Sequence, residues 1–342
     1  MAELWFAILC LMITLFVVLA GWDIGAGVLH FVVARNQEER RALIAAIGPL
    51  WTWNEVWLVA TGGVLFVAFP HVLAISFPAF YLALFLVLWT LILRGISLEF
   101  RGHIPSEMWR SFWDFVFAVA NLLLAILFGA AIGNVIRGIP LKPGAPLSLA
   151  LFTDFGVRGT LGILDWYTVS VAIFTLVCLG AHGASYLALK TEGALCRRAR
   201  IFAKVLWAST VLLLLAVSLE TYYVRPELFG GMAARPLAWV ALAMVAGGLV
   251  AIFTAFRSVA DARMFLGGCI FIAGLLGSAA ASLFPVILYS TVSSEYSITA
   301  YNGSSDAASL RAAISWWPLA FVLTFSYAWF VAKHYRGRVR TD

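Results

Sequence analysis

Formal charge is what this sequence has least of. Asp, Glu, Lys and Arg make up 12% of its 342 residues against 63% hydrophobic, and mean hydropathy is +0.96. A soluble globular domain carries about twice that charged fraction, so the shortage excludes a water-soluble fold and points to a polytopic membrane protein. Cysteine is scarce as well. Cys10, Cys178, Cys196 and Cys269 show no Cys-x-x-Cys or Cys/His spacing, so neither a disulfide frame nor a metal site is expected, and they read as small apolar packers. Five histidines offer no convincing haem-ligand pair. The Gly25-x-Gly27 sequence follows no strand, which removes a dinucleotide-binding reading and leaves a helix-packing signal. The first apolar run, from Leu4, has no basic stretch before it and is too long for the core of a cleavable signal, so none is expected. The net charge of +6 calls for no nucleic acid, because basic residues in a membrane protein are explained first by topology.

What the chain has in abundance is long apolar runs. Nine can be drawn, roughly 4–33, 47–69, 73–96, 112–136, 161–189, 202–222, 236–256, 264–290 and 314–332, each long enough to cross a bilayer. An odd number of spans puts the termini on opposite sides. Of the 23 Lys and Arg, all but Arg137, Lys142, Arg158, Arg225, Arg235 and Arg311 follow an odd-numbered span. The positive-inside bias therefore predicts an external N-terminus and a cytoplasmic C-terminus. The fold expected is all-α. A first four-helix bundle covers residues 1–136, an external loop 137–160, and a second bundle 161–290. A further external loop, polar and flexible, covers 291–313, and a ninth helix with a basic tail covers 314–342. The small residues and polar group that end span 1 (Asp23, Gly25, Gly27) and span 5 (Gly180, His182, Gly183) hint that the two bundles are related repeats.

Two carboxylates lie inside spans. From Ile47 to Phe69 only Glu55 carries a formal charge. An ionised acid at mid-membrane costs roughly 2.5 to 3.5 kcal/mol, and such groups face a bundle interior, a partner or a water path. On a helix Trp51, Asn54, Glu55, Leu58 and Gly62 share one face, with Trp53 and Trp57 forming a neighbouring ridge. Asp23 closes span 1 on one face with Gly27 and His30. Each acid has two readings, a hydrogen-bonded contact between helices or a functional proton-carrying group. The tryptophans, Trp51 and Trp57 among them, read first as packing or interface anchors and second as contacts to a quinone or lipid. At the end of span 3, Arg94, Glu99 and Arg101 form an expected structural charge network in which Arg94 can meet Glu99. Asp114 reads as a helix N-terminal charge favoured by the dipole. The small residues at Gly25, Gly27, Gly129 and Gly133 are expected to serve close helix association, including lateral contact with another subunit.

Taken in order, several segments resemble subunit II of the cytochrome bd-type quinol oxidases. They are Gly21-Trp-Asp-Ile-Gly-Ala-Gly27, Gly48-Pro-Leu-Trp51 through Asn54-Glu-Val-Trp57, Leu93-Arg-Gly-Ile-Ser-Leu-Glu-Phe-Arg101, Trp113-Asp114, Gly133-Asn-Val-Ile-Arg-Gly138 and His182-Gly-Ala-Ser-Tyr-Leu-Ala-Leu-Lys190. The resemblance implies a multi-pass protein of the bacterial cytoplasmic membrane, part of a complex that couples quinol oxidation to reduction of O2 to water. It implies a homologous subunit I that holds the haems b and d and the quinol site. This chain would then bind no haem itself, could hold a structural quinone or lipid, and could supply part of a proton route through Asp23, Asn54 and Glu55.

The family pattern commonly has two further acids, where this chain has Ala20 and Thr52. The second is linked in the family to proton delivery, a role that Thr52 cannot carry. Two alternatives stay open on sequence grounds: a structural subunit with no proton path, and a secondary transporter argued from the span count and the intramembrane acids. The transporter would need broken helices at matched positions, and only Gly62-Gly63 comes near this.

Overall fold

The structure is a computed structural model that describes residues 1–142, 149–157, 159–335 and 337–339. Helices dominate it. In chain order they are α1 (Ala2–Val28), α2 (His30–Val33), α3 (Gln37–Ile47), α4 (Trp51–Ala68), α5 (Pro70–Ala79), α6 (Tyr81–Phe100), α7 (Glu107–Arg137), α8 (Trp166–Lys190), α9 (Gly193–Val224), α10 (Glu227–Ala233), α11 (Pro236–Ser258), α12 (Asp261–Leu283) and α13 (Ala307–His334). Eight of these, α1, α6, α7, α8, α9, α11, α12 and α13, are long and apolar enough to span a membrane. The pair α3–α4, bent by 46°, supplies a ninth span when taken together. The nine apolar runs of the sequence are thus recovered.

Their ends shift for reasons that lie in single residues. The second run starts earlier than hydropathy shows. Asn36 caps α3 by accepting from the Glu39 amide at 2.8 Å, and Gly48-Pro49 then breaks the helix before α4 begins, since proline has no amide to donate and its ring crowds the carbonyl of the preceding turn. The third run divides at Phe80 into α5 and α6. The eighth stops at Leu283, where Phe284 turns extended ahead of Pro285. The chain then forms a short antiparallel pair, β1 (Val286–Leu288) and β2 (Ile298–Thr299), with Val286 opposite Thr299 and Leu288 opposite Ile298. The segment read as a flexible loop is therefore tied down. Ile298 and Ala300 are buried, the Ser305 hydroxyl donates to the Val67 carbonyl at 2.7 Å, and Asp306 caps α13 through the Ala308 and Ser309 amides.

Helices α1, α4, α6 and α7 pack among themselves, as do α8, α9, α11 and α12; α1 and α7 both lie against α8 and join the two sets. The crossing of α1 and α8 is made at Gly25 and Gly183. A Cβ on Gly25 would run into the Leu179 backbone, and one on Gly183 into the backbone of Gly25 and Ala26. Along α7, Gly129 faces the Ala172 backbone and Gly133 faces Thr168. The small-residue faces expected to serve a second subunit are instead used between helices of this chain, because backbones at this separation leave no room for a side chain. At the far end of α7, Arg137 pairs with Asp165, the N-cap of α8, and donates to Asn134 at 2.6 Å and to the Gly162 carbonyl at 3.0 Å. Gly138 follows with φ +95°, a turn that glycine makes without strain.

Candidate functional site

One arginine organises the polar interior of the first helix set. Arg94, on α6, is fully buried. Its Nη2 donates to Asp23 Oδ1 on α1 at 2.8 Å, its Nη1 to Glu55 Oε1 on α4, and its Nε to Asn121 Oδ1 on α7 at 2.9 Å. Asn54 completes the set by donating to Asp23 Oδ2 at 2.7 Å. Four helices each bring a polar side chain to one point, and Asp23, Asn54 and Asn121 are all buried there. The Glu55 side chain keeps 23% exposure, which makes it the edge of the cluster. Trp51 lies with its ring 5.9 Å from the Arg94 guanidinium carbon, within reach of a cation–π contact.

A second polar layer lies below the first. Asp114 on α7 is fully buried. It meets His30 Nε2 at 2.9 Å and accepts from Arg101 Nε at 2.6 Å, with Arg40 at 3.8 Å and Gln37 accepting from Arg101 at 2.8 Å. The reading of Asp114 as a helix N-terminal charge favoured by the dipole is corrected here, because α7 begins at Glu107, more than a turn earlier, and three basic side chains enclose Asp114. The two layers repeat at a fixed interval: Asp23 and His30, Arg94 and Arg101, and Asn121 and Asp114 are each seven residues apart on their own stretch of chain. Seven residues are two helical turns, about 10.5 Å along an axis, and bring a side chain back to within about 20° of the same face. Phe117 stands between the layers on α7 and packs edge-on to His30 at 5.4 Å.

Among the expected residues, Asp23, Asn54, Glu55, Arg94 and Trp51 come together, and Arg101 joins the lower layer. Glu99 does not. It points outward and makes no ion pair among the described residues. Five residues beyond Arg94 is about 140° around the helix, so the Arg94–Glu99 pairing is corrected to Arg94 with Asp23 and Glu55. Trp57 is buried away from Arg94, against Trp53 and the α13 rings Phe321 and Phe325; it holds α13 to the first set. Ala20 is buried in apolar surroundings, while Thr52 lies on the outer face of α4.

Asn121 and the His30–Asp114 contact escaped the sequence reading. Their only prior signal was the seven-residue spacing to residues already singled out. His182 is fully buried, stacked on Phe265 at 5.1 Å, with Nε2 3.2 Å from the Val18 carbonyl. A cavity of about 350 Å³ lies between the second helix set and the first, with walls that include Val17, Ile136, Phe174, Leu214, Met232 and Ile272; neither His30 nor His182 lines it. No group of three or more His, Cys, Asp or Glu suited to a metal occurs among the described residues.

Comparison with known proteins decides the family. The profile for "Cytochrome bd terminal oxidase subunit II" matches residues 1–334. The chain belongs to the cytochrome bd subunit II family. Relatives include the "Cytochrome bd ubiquinol oxidase subunit 2" of Bacillus subtilis, 31% identical over 90% of this chain and 88% of that one. The "Probable cytochrome oxidase subunit 2" of Haemophilus influenzae is 29% identical over 98% and 94%. The fold is similar to that of the bd oxidase from Geobacillus thermodenitrificans, with a TM-score of 0.75 at 18% identity, covering 98% of both chains. Subunit II membership makes the chain part of a quinol oxidase complex, an oxidoreductase, and leaves the transporter reading without support.

Proposed function

We propose that this chain supports a haem-bearing subunit I in quinol oxidation coupled to reduction of O2 to water, and that its layered polar cluster carries protons from the cytoplasmic side toward that partner. The observation that carries the reading is the pair of layers two turns apart. In the upper layer two carboxylates face a single guanidinium, so one proton, shared between Asp23 and Glu55, would balance the charge of the cluster, and such a coupled pair takes it up as a unit. The lower layer lies toward the end with Arg40, Arg101 and Arg110, which the positive-inside bias assigns to the cytoplasm. Glu55, with part of its side chain exposed, is the natural outlet toward a partner.

The haems b and d would be held by subunit I and supply the oxygen chemistry there. Within this chain each buried histidine has its Nε2 engaged, His30 by Asp114 and His182 by the Val18 carbonyl. The apolar cavity that α8–α12 form with α1 and α7 suits the tail of a structural quinone or a lipid. Residues 1–136 and 161–290 are proposed as two bundles, with α13 and the tail added. A purely structural role for the cluster is favoured by one observation, that Arg94 bonds both acids directly; the variants Asp23→Asn and Glu55→Gln separate the two. The division of labour is tested by purification: the chain alone should be colourless and should co-purify with a haem-bearing membrane protein. A near-stoichiometric haem spectrum from the isolated chain would overturn it.

A further inference from the structure

A second site shares no residue with the polar layers and lies at the end of the second helix set that carries the C-terminus. There a recess of about 210 Å³ opens between α9 and the turn joining α11 to α12, walled by Ile201, Phe256, Val259 and Met264 and rimmed by Arg200 and Lys204. Its depth in the membrane can be read from charge. On α9 the cations Arg197, Arg198, Arg200 and Lys204 fill the first turns, and no charge follows from Val205 to Leu219. On α12 none follows Arg263 through Leu283. The recess thus sits where hydrocarbon gives way to the polar boundary.

The charge balance there is uneven. Asp261 is the one acid at the rim and is already shared: Arg200 grips it with two bonds, at 2.8 and 2.7 Å, and Arg338 of the tail adds a third at 3.0 Å. Lys204 has no acidic partner among the described residues. Two guanidiniums and an ammonium against one carboxylate leave an excess positive charge over apolar walls. Ile201 is 62% exposed and Val259 59%. Val259 also adopts φ 52°, a left-handed conformation unfavourable for a β-branched residue, and in it closes the turn at the recess.

We infer that this recess binds the headgroup of an anionic phospholipid, with the phosphate at Lys204 and Arg200 and the first acyl carbons along Ile201 and Val205. Basic pockets between membrane helices take anionic headgroups by this combination of charge and apolar wall. A free phosphate would leave the apolar walls uncovered, which is why a lipid is chosen.

The test uses the full chain in its assembled complex, titrated in detergent with phosphatidylglycerol or phosphatidylcholine and read by native mass spectrometry. Wild type should retain phosphatidylglycerol preferentially. Lys204→Gln should lower that preference by about five-fold, the effect of one basic residue near a membrane surface, and Ile201→Trp, which fills the recess, should abolish it. Arg311→Glu, an exposed site at the other end of the molecule, should leave it unchanged. Equal retention of the two lipids by wild type would mean that bulk lipid or a protein segment covers the recess and would overturn the proposal, as would an undiminished preference in Lys204→Gln.

Discussion

Arg101 stands two turns beyond Arg94 on the same face of α6, and each grips a different buried acid: Arg94 takes Asp23 and Glu55 in the upper layer, Arg101 takes Asp114 in the lower. The repeat ties α1, α4, α6 and α7 together at two heights. It also defines which substitutions should matter.

Removing Arg94 should be severe. Arg94→Met would leave Asp23 buried with only Asn54 to satisfy it, and breaking one side of a buried ion pair costs about 3–5 kcal/mol. Arg94→Lys should recover only part, because an ammonium cannot bond Asp23, Glu55 and Asn121 in one plane. Glu99→Gln, on the outer face of the same helix, should stay within about 0.5 kcal/mol of wild type. Thermal inactivation of the purified complex ranks the three; an Arg94→Met complex as stable as Glu99→Gln would contradict the placement.

The α1–α8 crossing gives an independent check. Gly25→Leu and Gly183→Leu should prevent accumulation of folded chain, since the side chain would meet backbone atoms that cannot move aside. Gly62→Ala and Gly63→Ala, with open space around both positions, should be neutral or slightly stabilising, because alanine favours helix by up to about 1 kcal/mol over glycine. Membrane yield and thermal stability report both; normal yield of Gly25→Leu would contradict the close approach.

The spans were legible because hydropathy reports burial in lipid directly, and the acids because a charge in an apolar run is conspicuous. Asn121 was not, since a neutral amide among leucines barely changes hydropathy and its partner lies on another helix. Glu99 misled for the converse reason: nearness in sequence to Arg94 and Arg101 hid its position on the other side of α6. The glycines showed that backbones approach closely but not which ones, and only the packing assigns Gly25 to Gly183. Helix breaks at Gly48-Pro49 and Phe80 left the count of nine spans intact while moving their ends.

The orientation proposed from the basic bias is measured with reporters. A reporter active only in the cytoplasm should work when fused to the C-terminus and be silent when inserted at Val292, in the exposed turn after β1. The reverse pattern would place the lower layer outside and remove the proposed direction of proton travel.

The lower layer has its own test. Asp114→Asn leaves Arg101 without its counter-charge and His30 without its carboxylate, so both stability and turnover should fall. Gln37→Ala removes only the neutral contact to Arg101, and its cost should stay near 1 kcal/mol. Turnover and melting temperature of the two variants, compared side by side, would contradict the assignment if Gln37→Ala proved the more damaging.

Whether the Asp23–Arg94–Glu55 cluster moves protons is read from quinol-driven O2 uptake by the assembled oxidase carrying Asp23→Asn and Glu55→Gln together. Amides keep the shape and much of the hydrogen bonding but cannot carry the proton. Normal haem content and assembly are expected, with turnover lowered about a hundred-fold, the lower end of what loss of a positioned proton-transfer group produces. Full turnover in the double variant, at normal haem content, would contradict it and leave the cluster a structural tie between four helices.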